Sequence, residues 1–337
     1  MEKLLMEACL EVLKTGYIVG MQDLGAAGIT SSSCEMASRA GTGIEMDVAK
    51  VPCREEGMTP YEILLSESQE RMLFVVEKGR EEEIQAIFQK WDLEATQIGQ
   101  VTVDGLMTIK EGAEIVAQVP AQALTELCPR YDREAQEPEY LAPAQEYDLG
   151  TLPEMEDYGK VLLTLLGTPT IASKEWVFSQ FDYLGGTNTV VPPGSDAAVL
   201  RIKGYNKGIA LTVDGNSRYV YLDPYRGGQI AVAEAARNLV CVGAVPLALT
   251  DGLNFGNPEK PEVFWQFKET VAGMSKACEV LETPVVGGNV SFYNETEGIK
   301  INPTPAVGVI GVEDIENIRT LDFKNEGDKI ILIGKTY

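Results

Sequence analysis

The stretch AVPLALTDGLNFGNPEKPEVFWQFKETVAGMSKACEVLETPVVGGNVSFYNET (residues 244–296) decides how the chain is read. Residues 245–250 form an apolar strand that opens into Thr250-Asp251-Gly252-Leu253-Asn254-Phe255-Gly256-Asn257-Pro258. Residues 261–281 then carry helical periodicity, and residues 284–291 return as a second strand. Asp, Asn and Gly at a strand end suit a binding loop and a plain turn equally well. Gly287 and Gly288 inside the second strand weaken it and leave nothing to pack, so a ligand approaching the backbone accounts for them better than a bulge. Asn289 and Ser291 are two apart in that strand, which places them on one face where together they can meet a metal ion and a polar substrate.

Working outward, the unit containing this stretch begins near Tyr158. It has strands at 197–203 and 208–213, a helix at 228–240 after Gly227-Gly228, and further strands at 305–312 and 329–334. Asp214, in Val213-Asp214-Gly215, and Asp223, in Asp223-Pro224-Tyr225-Arg226-Gly227-Gly228, either hold a second metal–nucleotide or shape turns; spacing favours turns. Tyr183 to Thr189 reads as a glycine-containing hairpin or crossover. The final KIILIGKTY stops directly after an apolar strand, which gives the expectation that the chain is cut there.

The first half reads as a separate α+β unit. Leu4, Leu5, Ala8, Val12 and Leu13 share a helical face over residues 3–15, with Gly16 as its stop. A short strand, 17–21, enters Asp23-Leu24-Gly25-Ala26-Ala27-Gly28. Ser32 with Glu35 fits a capping box opening a helix that ends near Gly41. The small residues and the helix start offer backbone N–H groups to an anion, and Asp23 offers an oxygen to magnesium, or merely caps a turn. A strand at 44–48, a short helix at 61–66, a strand at 71–76, a helix around 84–91 and a strand or hairpin about Asp104-Gly105 complete the unit. Glu67-Ser68-Gln69 are adjacent hydrogen-bonding groups able to read a polar substrate, or simply an exposed helix end. Between the units, Pro138, Pro143 and Pro153 among many carboxylates mark a linker or surface-hugging connection. The expected division is 1–140, a linker at 141–157, 158–325, and the start of another domain at 326–337.

Composition narrows the chemistry. A chain of 337 residues, 45% of them apolar, can bury more than one core. The net charge of −23 has the wrong sign for nucleic acid, and a phosphorylated substrate would need positive charge from metal ions, backbone N–H groups or another segment. There is no histidine, which removes Ser-His-Asp and Cys-His catalysis and the usual zinc sites if the chain acts alone. There is no GxxxxGK[ST] phosphate loop. No apolar run approaches the roughly 20 residues of a membrane span, and the N-terminus has no signal-peptide pattern. The six cysteines are scattered without a CxxC pair, as in a reduced cytoplasmic protein.

The ordered segments QDLGAAGITSSSCEMASRAGTGIEMDV (22–48), REEGMTPYEILLSESQERMLFVV (54–76), LTDGLNFGNPEKPE (249–262) and TPVVGGNVSFYNET (283–296) carry a resemblance spanning nearly the whole chain. Together they resemble the synthetase subunit of the phosphoribosylformylglycinamidine synthase family. That family belongs to the superfamily of aminoimidazole ribonucleotide synthetase, selenophosphate synthetase and thiamine-phosphate kinase. The resemblance implies two mixed α/β domains, a C-terminal-type domain followed by an N-terminal-type domain. It implies that Asp23 and Asn289 are magnesium ligands, Asp251 and Gly288 ATP contacts, and Glu67, Ser68, Gln69 and Ser291 substrate contacts. The family's histidines and ATP-binding lysine match no position here, so the chain is expected to be inactive by itself. The implied reaction is ATP-driven conversion of formylglycinamide ribonucleotide to formylglycinamidine ribonucleotide through an iminophosphate. Magnesium assists, and ammonia comes from a glutaminase partner beside a small accessory subunit. Superfamily members of this domain type pair sheet to sheet, which implies self-association through an exposed sheet face. The competing readings are another ATP-using enzyme of the superfamily and a nucleotide-binding scaffold without turnover.

Overall fold

The computed structural model describes residues 1–67 and 70–335 and divides into two compact units, 1–131 and 132–337. In the first unit the elements are α1 (Glu2–Leu13), β1 (Ile18–Asp23), α2 (Gly28–Ala40), β2 (Gly43–Asp47), α3 (Pro60–Leu65), β3 (Met72–Val76), α4 (Glu81–Lys90), β4 (Gly99–Thr102), β5 (Leu106–Glu111) and β6 (Glu114–Pro120). β1 and β3 pair antiparallel, Asp23 opposite Met72. Of the helical stripe predicted for residues 3–15, Leu5, Ala8 and Val12 pack there, Ala8 and Val12 joining Ile84 and Phe88 of α4 against Ile18, Phe74 and Val76, whereas Leu4 and Leu13 are exposed. Glu11 ties the two helices, accepting from Lys90 Nζ at 2.7 Å and Trp91 Nε1 at 2.8 Å.

The remaining strands form a sheet in the order β4-β2-β5-β6 among the described residues, covered by α2 and α3 through Ile29, Cys34 and Ile63 on Met46, Met107 and Ile109. Asp104-Gly105 is a turn, but β4 and β5 do not form a hairpin. β2 lies between them, antiparallel to β4 and parallel to β5. The capping box also falls elsewhere. α2 begins four residues before Ser32, and Ser32 is a buried interior residue whose hydroxyl donates to Gly28 O at 2.8 Å and Asp23 O at 2.9 Å. A serine inside a helix can bond back to the preceding turn, so S-x-x-E alone does not mark a start. Glu35 instead accepts from Gln22 Nε2 at 2.9 Å and pairs with Arg39. The reciprocal box is at Thr59 and Glu62, opening α3.

The second unit contains α5 (Leu141–Gln145), α6 (Tyr158–Gly167), α7 (Glu175–Phe178), β7 (Thr189–Val191), β8 (Ala198–Ile202), β9 (Lys207–Asp214), α8 (Ser217–Leu222), α9 (Pro224–Cys241), β10 (Val245–Asn254), α10 (Pro261–Leu281), β11 (Val285–Ser291), β12 (Glu295–Thr296), β13 (Ile299–Lys300) and β14 (Thr304–Asp314). Its main sheet runs β11-β10-β14-β9-β8-β7 among the described residues. β10 and β11 are parallel, joined by α10 as the crossover, while β14 is antiparallel to both β10 and β9. α9 and α10 cover one face, where Val232, Ala235, Leu239, Met274 and Cys278 meet Val199, Ala210, Leu249, Val307 and Val309. Alternation along the strands sends Leu200, Leu211 and Val213 to the other face, where they are exposed.

The proline-containing connection hugs this unit. Tyr140 stacks on Tyr221 with ring centroids 4.1 Å apart and donates to Tyr221 O at 2.8 Å, while Gln266 Nε2 donates to the Tyr140 hydroxyl at 2.6 Å. Burial pushes the Tyr140 phenol up to about 12, so it stays protonated and keeps that donor. Residues 329–334, predicted as a strand, are irregular and exposed; an apolar run without a neighbouring strand has nowhere to place its backbone hydrogen bonds.

Candidate functional site

In the first unit the chain leaves β1 at Asp23 and turns sharply into α2. Asp23 Oδ1 accepts from Gly25 N at 3.0 Å, and Gly28 N donates to Gly25 O at 2.9 Å. Ala27 and Gly28 both take left-handed backbone, with φ of 59° and 53°. A Cβ at Gly28 would lie 2.3 Å from Ser66 O, so only glycine lets the loop sit on the segment after α3. There the Glu67 carboxylate accepts from Ala27 N at 2.9 Å. Thr30 Oγ1 donates to Leu64 O at 3.1 Å, and the Arg71 guanidinium donates to Ser66 O. Asp23 and Glu67, far apart in sequence, are thus brought to one loop pair. Ser68 and Gln69 lie outside the described residues.

In the second unit the strand pair β10–β11 carries the other candidates in register: Asp251 faces Gly288, Gly252 faces Asn289, and Asn254 faces Ser291. A Cβ on Gly288 would stand 2.4 Å from Asp251 Oδ1, so the carboxylate occupies the space that a side chain would fill. Asp251 belongs to the helix-covered face. Its neighbour across β14 is the fully buried Val307, and the thiol of Cys278 on α10 is pushed up first by burial and then by the Asp251 charge. Burial alone pushes the Asp251 carboxyl above its ordinary range. Asn289 and Ser291 alternate to the opposite face, and a Cβ on Gly252 would lie 3.8 Å from Asn289 Oδ1. The sheet therefore splits the two expected ATP contacts from the expected metal and substrate contacts that neighbour them in sequence.

The row through Gly288, Asp251 and Val307 continues to Asp214 on β9. Two strand spacings separate the two aspartates, roughly 10 Å. Asp214 accepts from Thr212 Oγ1 at 2.8 Å and from Asn238 Nδ2 at 3.1 Å, and it lines an open pocket of about 370 Å³ with Asn216, Glu234 and Thr304. Asp223 caps α9, accepting from Arg226 N at 3.0 Å. Sequence reading missed Asn238, whose helical position about four turns into α9 gives no local signal of its partner.

Asp23 and Asn289 lie in different units, and among the described residues no three His, Cys, Asp or Glu side chains converge as a metal site. No helix among them is long and apolar enough to cross a membrane.

Residues 1–112 match the family described as AIR synthase related protein, C-terminal domain, and residues 194–312 match the corresponding N-terminal domain. The chain is 66% identical over 337 residues to phosphoribosylformylglycinamidine synthase subunit PurL of Moorella thermoacetica, covering 100% of this chain and 46% of that protein. Two solved structures of Thermotoga maritima PurL are each 33% identical. The one complexed with ATP has a TM-score of 0.73 over 94% of this chain and 50% of its own. The one complexed with FGAR has a TM-score of 0.74 over 94% and 49%. The chain spans about half the length of the relatives it matches. It belongs to the AIR synthase related family, as a C-terminal-type domain followed by an N-terminal-type domain.

Proposed function

We propose that this chain forms the nucleotide-facing and part of the substrate-facing portion of an ATP-dependent ligase that converts formylglycinamide ribonucleotide (FGAR) to formylglycinamidine ribonucleotide in purine biosynthesis. The observation that carries the reading is the Asp251–Gly288 pair: a carboxylate set over bare backbone three residues short of the C-terminal ends of two parallel strands. Such strand ends are where open α/β sheets bind ligands. The similarity to PurL along the whole chain supports the same reading.

In the proposed reaction the amide oxygen attacks the γ-phosphorus of ATP and ADP leaves with the electrons of the broken bond. The amide N–H proton passes to solvent. Ammonia from a glutaminase partner then adds to the imidate carbon and phosphate departs, leaving the amidine. Ser291 and Glu67, with Ser68 and Gln69, orient the amide and its ribonucleotide. Asp251 and the Gly288 backbone orient the nucleotide. Asp23 and Asn289 are oxygen donors of the kind magnesium accepts beside phosphate, and the ion would neutralise phosphate charge that this acidic chain cannot. A small accessory subunit and cytoplasmic location complete the proposal; all six cysteines are free thiols, which suits a reducing compartment. A second reading, self-association through the open sheet face, is favoured by exposed Leu211 and Val213 and is tested by sedimentation across a concentration series.

The decisive experiment expresses the full-length protein containing this chain and assays amidine formation from FGAR with ATP, magnesium and ammonium. Turnover is expected there and none from residues 1–337 alone, which contain no histidine. Calorimetry on residues 1–337 should give weak Mg·ATP binding that Asp251→Ala abolishes. A full-length protein that hydrolyses ATP but leaves FGAR unchanged defeats the reading.

A further inference from the structure

β11 ends at Ser291, and the chain turns back within three residues. Tyr293 adopts left-handed backbone, with φ of 60°. For a bulky residue this conformation costs about 1–2 kcal/mol and persists only where neighbours over-determine it. Here they do: Tyr293 N donates to Gly256 O at 3.0 Å, Asn294 N to Phe255 O at 3.2 Å, and Phe255 N to Ser291 O at 2.9 Å. Glu295 braces the far side, accepting from Lys260 Nζ at 2.7 Å and Asn257 N at 3.0 Å.

The turn aims the Asn294 amide at Ser291. Its Nδ2 lies 2.9 Å from Ser291 O, 3.0 Å from Phe255 O and 3.1 Å from Ser291 Oγ, and its Oδ1 lies 3.3 Å from the same Oγ. Two backbone carbonyls can only accept, so they fix which end of the amide is nitrogen. With those carbonyls drawing on both Nδ2 hydrogens, Oδ1 is left as the natural acceptor for the Ser291 hydroxyl. Both polar atoms of the Asn294 amide thus lie within hydrogen-bond reach of the Ser291 hydroxyl and restrict its rotation.

We infer that Asn294 is a positioning residue that fixes the Ser291 hydroxyl for the amide substrate. The inference rests on the proposed function and goes beyond it, because it gives a role to a residue that would touch no ligand. A free hydroxyl samples three staggered wells, and holding it in one preorganises the contact before substrate arrives.

The test is a double-mutant cycle on the full-length protein with ammonium as nitrogen source: Asn294→Ala, Ser291→Ala and both together. Each single change is expected to raise KM for FGAR by about tenfold, the worth of one polar contact, with KM for ATP unchanged. The double variant should be no worse than Ser291→Ala alone, since the amide then has no hydroxyl to hold. Losses that multiply, or an Asn294→Ala enzyme indistinguishable from the parent, overturn the role and leave the proposed function standing. Asn294→Ser, which keeps one donor at the turn, is held to the same criterion if the alanine variant does not fold. A parent enzyme that never turns over FGAR overturns the proposed function and this role together.

Discussion

The two units hold their candidate residues by different means. In the second, Asp251, Gly288, Asn289 and Ser291 sit on paired strands whose positions are set by the whole ladder from β11 to β9. In the first, Asp23 and Glu67 meet through a loop that rests on the segment after α3, held by the Ala27–Glu67 and Thr30–Leu64 hydrogen bonds. A ladder cannot give at one residue without disturbing its neighbours, whereas a loop pair can shift by tenths of an ångström. The same kind of change should therefore be felt globally in one unit and locally in the other.

The largest contrast is expected from glycine replacement. Gly288→Ala drives a methyl to within 2.4 Å of Asp251 Oδ1 and 2.7 Å of its carbonyl oxygen at a φ of 154°. It should cost about 3 kcal/mol in urea denaturation, in the range of a forced core clash. Gly28→Ala meets Ser66 O at 2.3 Å, but in a loop that can relax, and about 1–2 kcal/mol is expected. Equal losses would mean that the loop is as rigid as the ladder.

Tyr140→Phe comes next. It removes the acceptor of the buried Gln266 and should lower stability by about 1–2 kcal/mol. No loss would detach the connection from the second unit.

A pH experiment sharpens the comparison further. Because burial raises the Asp251 carboxyl, the folded protein holds this proton more tightly than the unfolded chain. Its contribution is therefore most favourable at low pH and is lost as pH rises through the raised value. Asp251→Asn is expected to be more stable than the parent near pH 7, with the difference closing below about pH 4, while Mg·ATP binding weakens. A variant less stable at neutral pH would show that the carboxylate has a partner it needs. The smallest effect is expected from Glu67→Ala, below about 1 kcal/mol globally and visible mainly as faster hydrogen exchange at the Ala27 amide, with Glu67→Gln retaining most of the protection.

Legibility in the sequence follows the same division. The strand–helix–strand of residues 245–291 and the glycine inside it were readable because periodicity and glycine cost are local properties. That Asp251 and Asn289 face opposite sides was not, because it depends on register, which no single segment states. Ser32 with Glu35 satisfied a capping pattern and yet lies within a helix, since the backbone it bonds belongs to β1 and to the turn before it. Asp104-Gly105 signalled a turn, but not the third strand lying between its flanks. Asn294, inside residues 283–296, showed no role in the sequence, because its partners Phe255 and Ser291 converge only through the turn at Tyr293.

The crossover between β10 and β11 has a kinetic consequence. All of α10 lies between Asp251 and Gly288, so the two cannot meet until that helix has docked and its loop has closed. The pair is expected to form late along the folding route. A nucleotide that bridges both strands should slow unfolding markedly while leaving the folding rate almost unchanged.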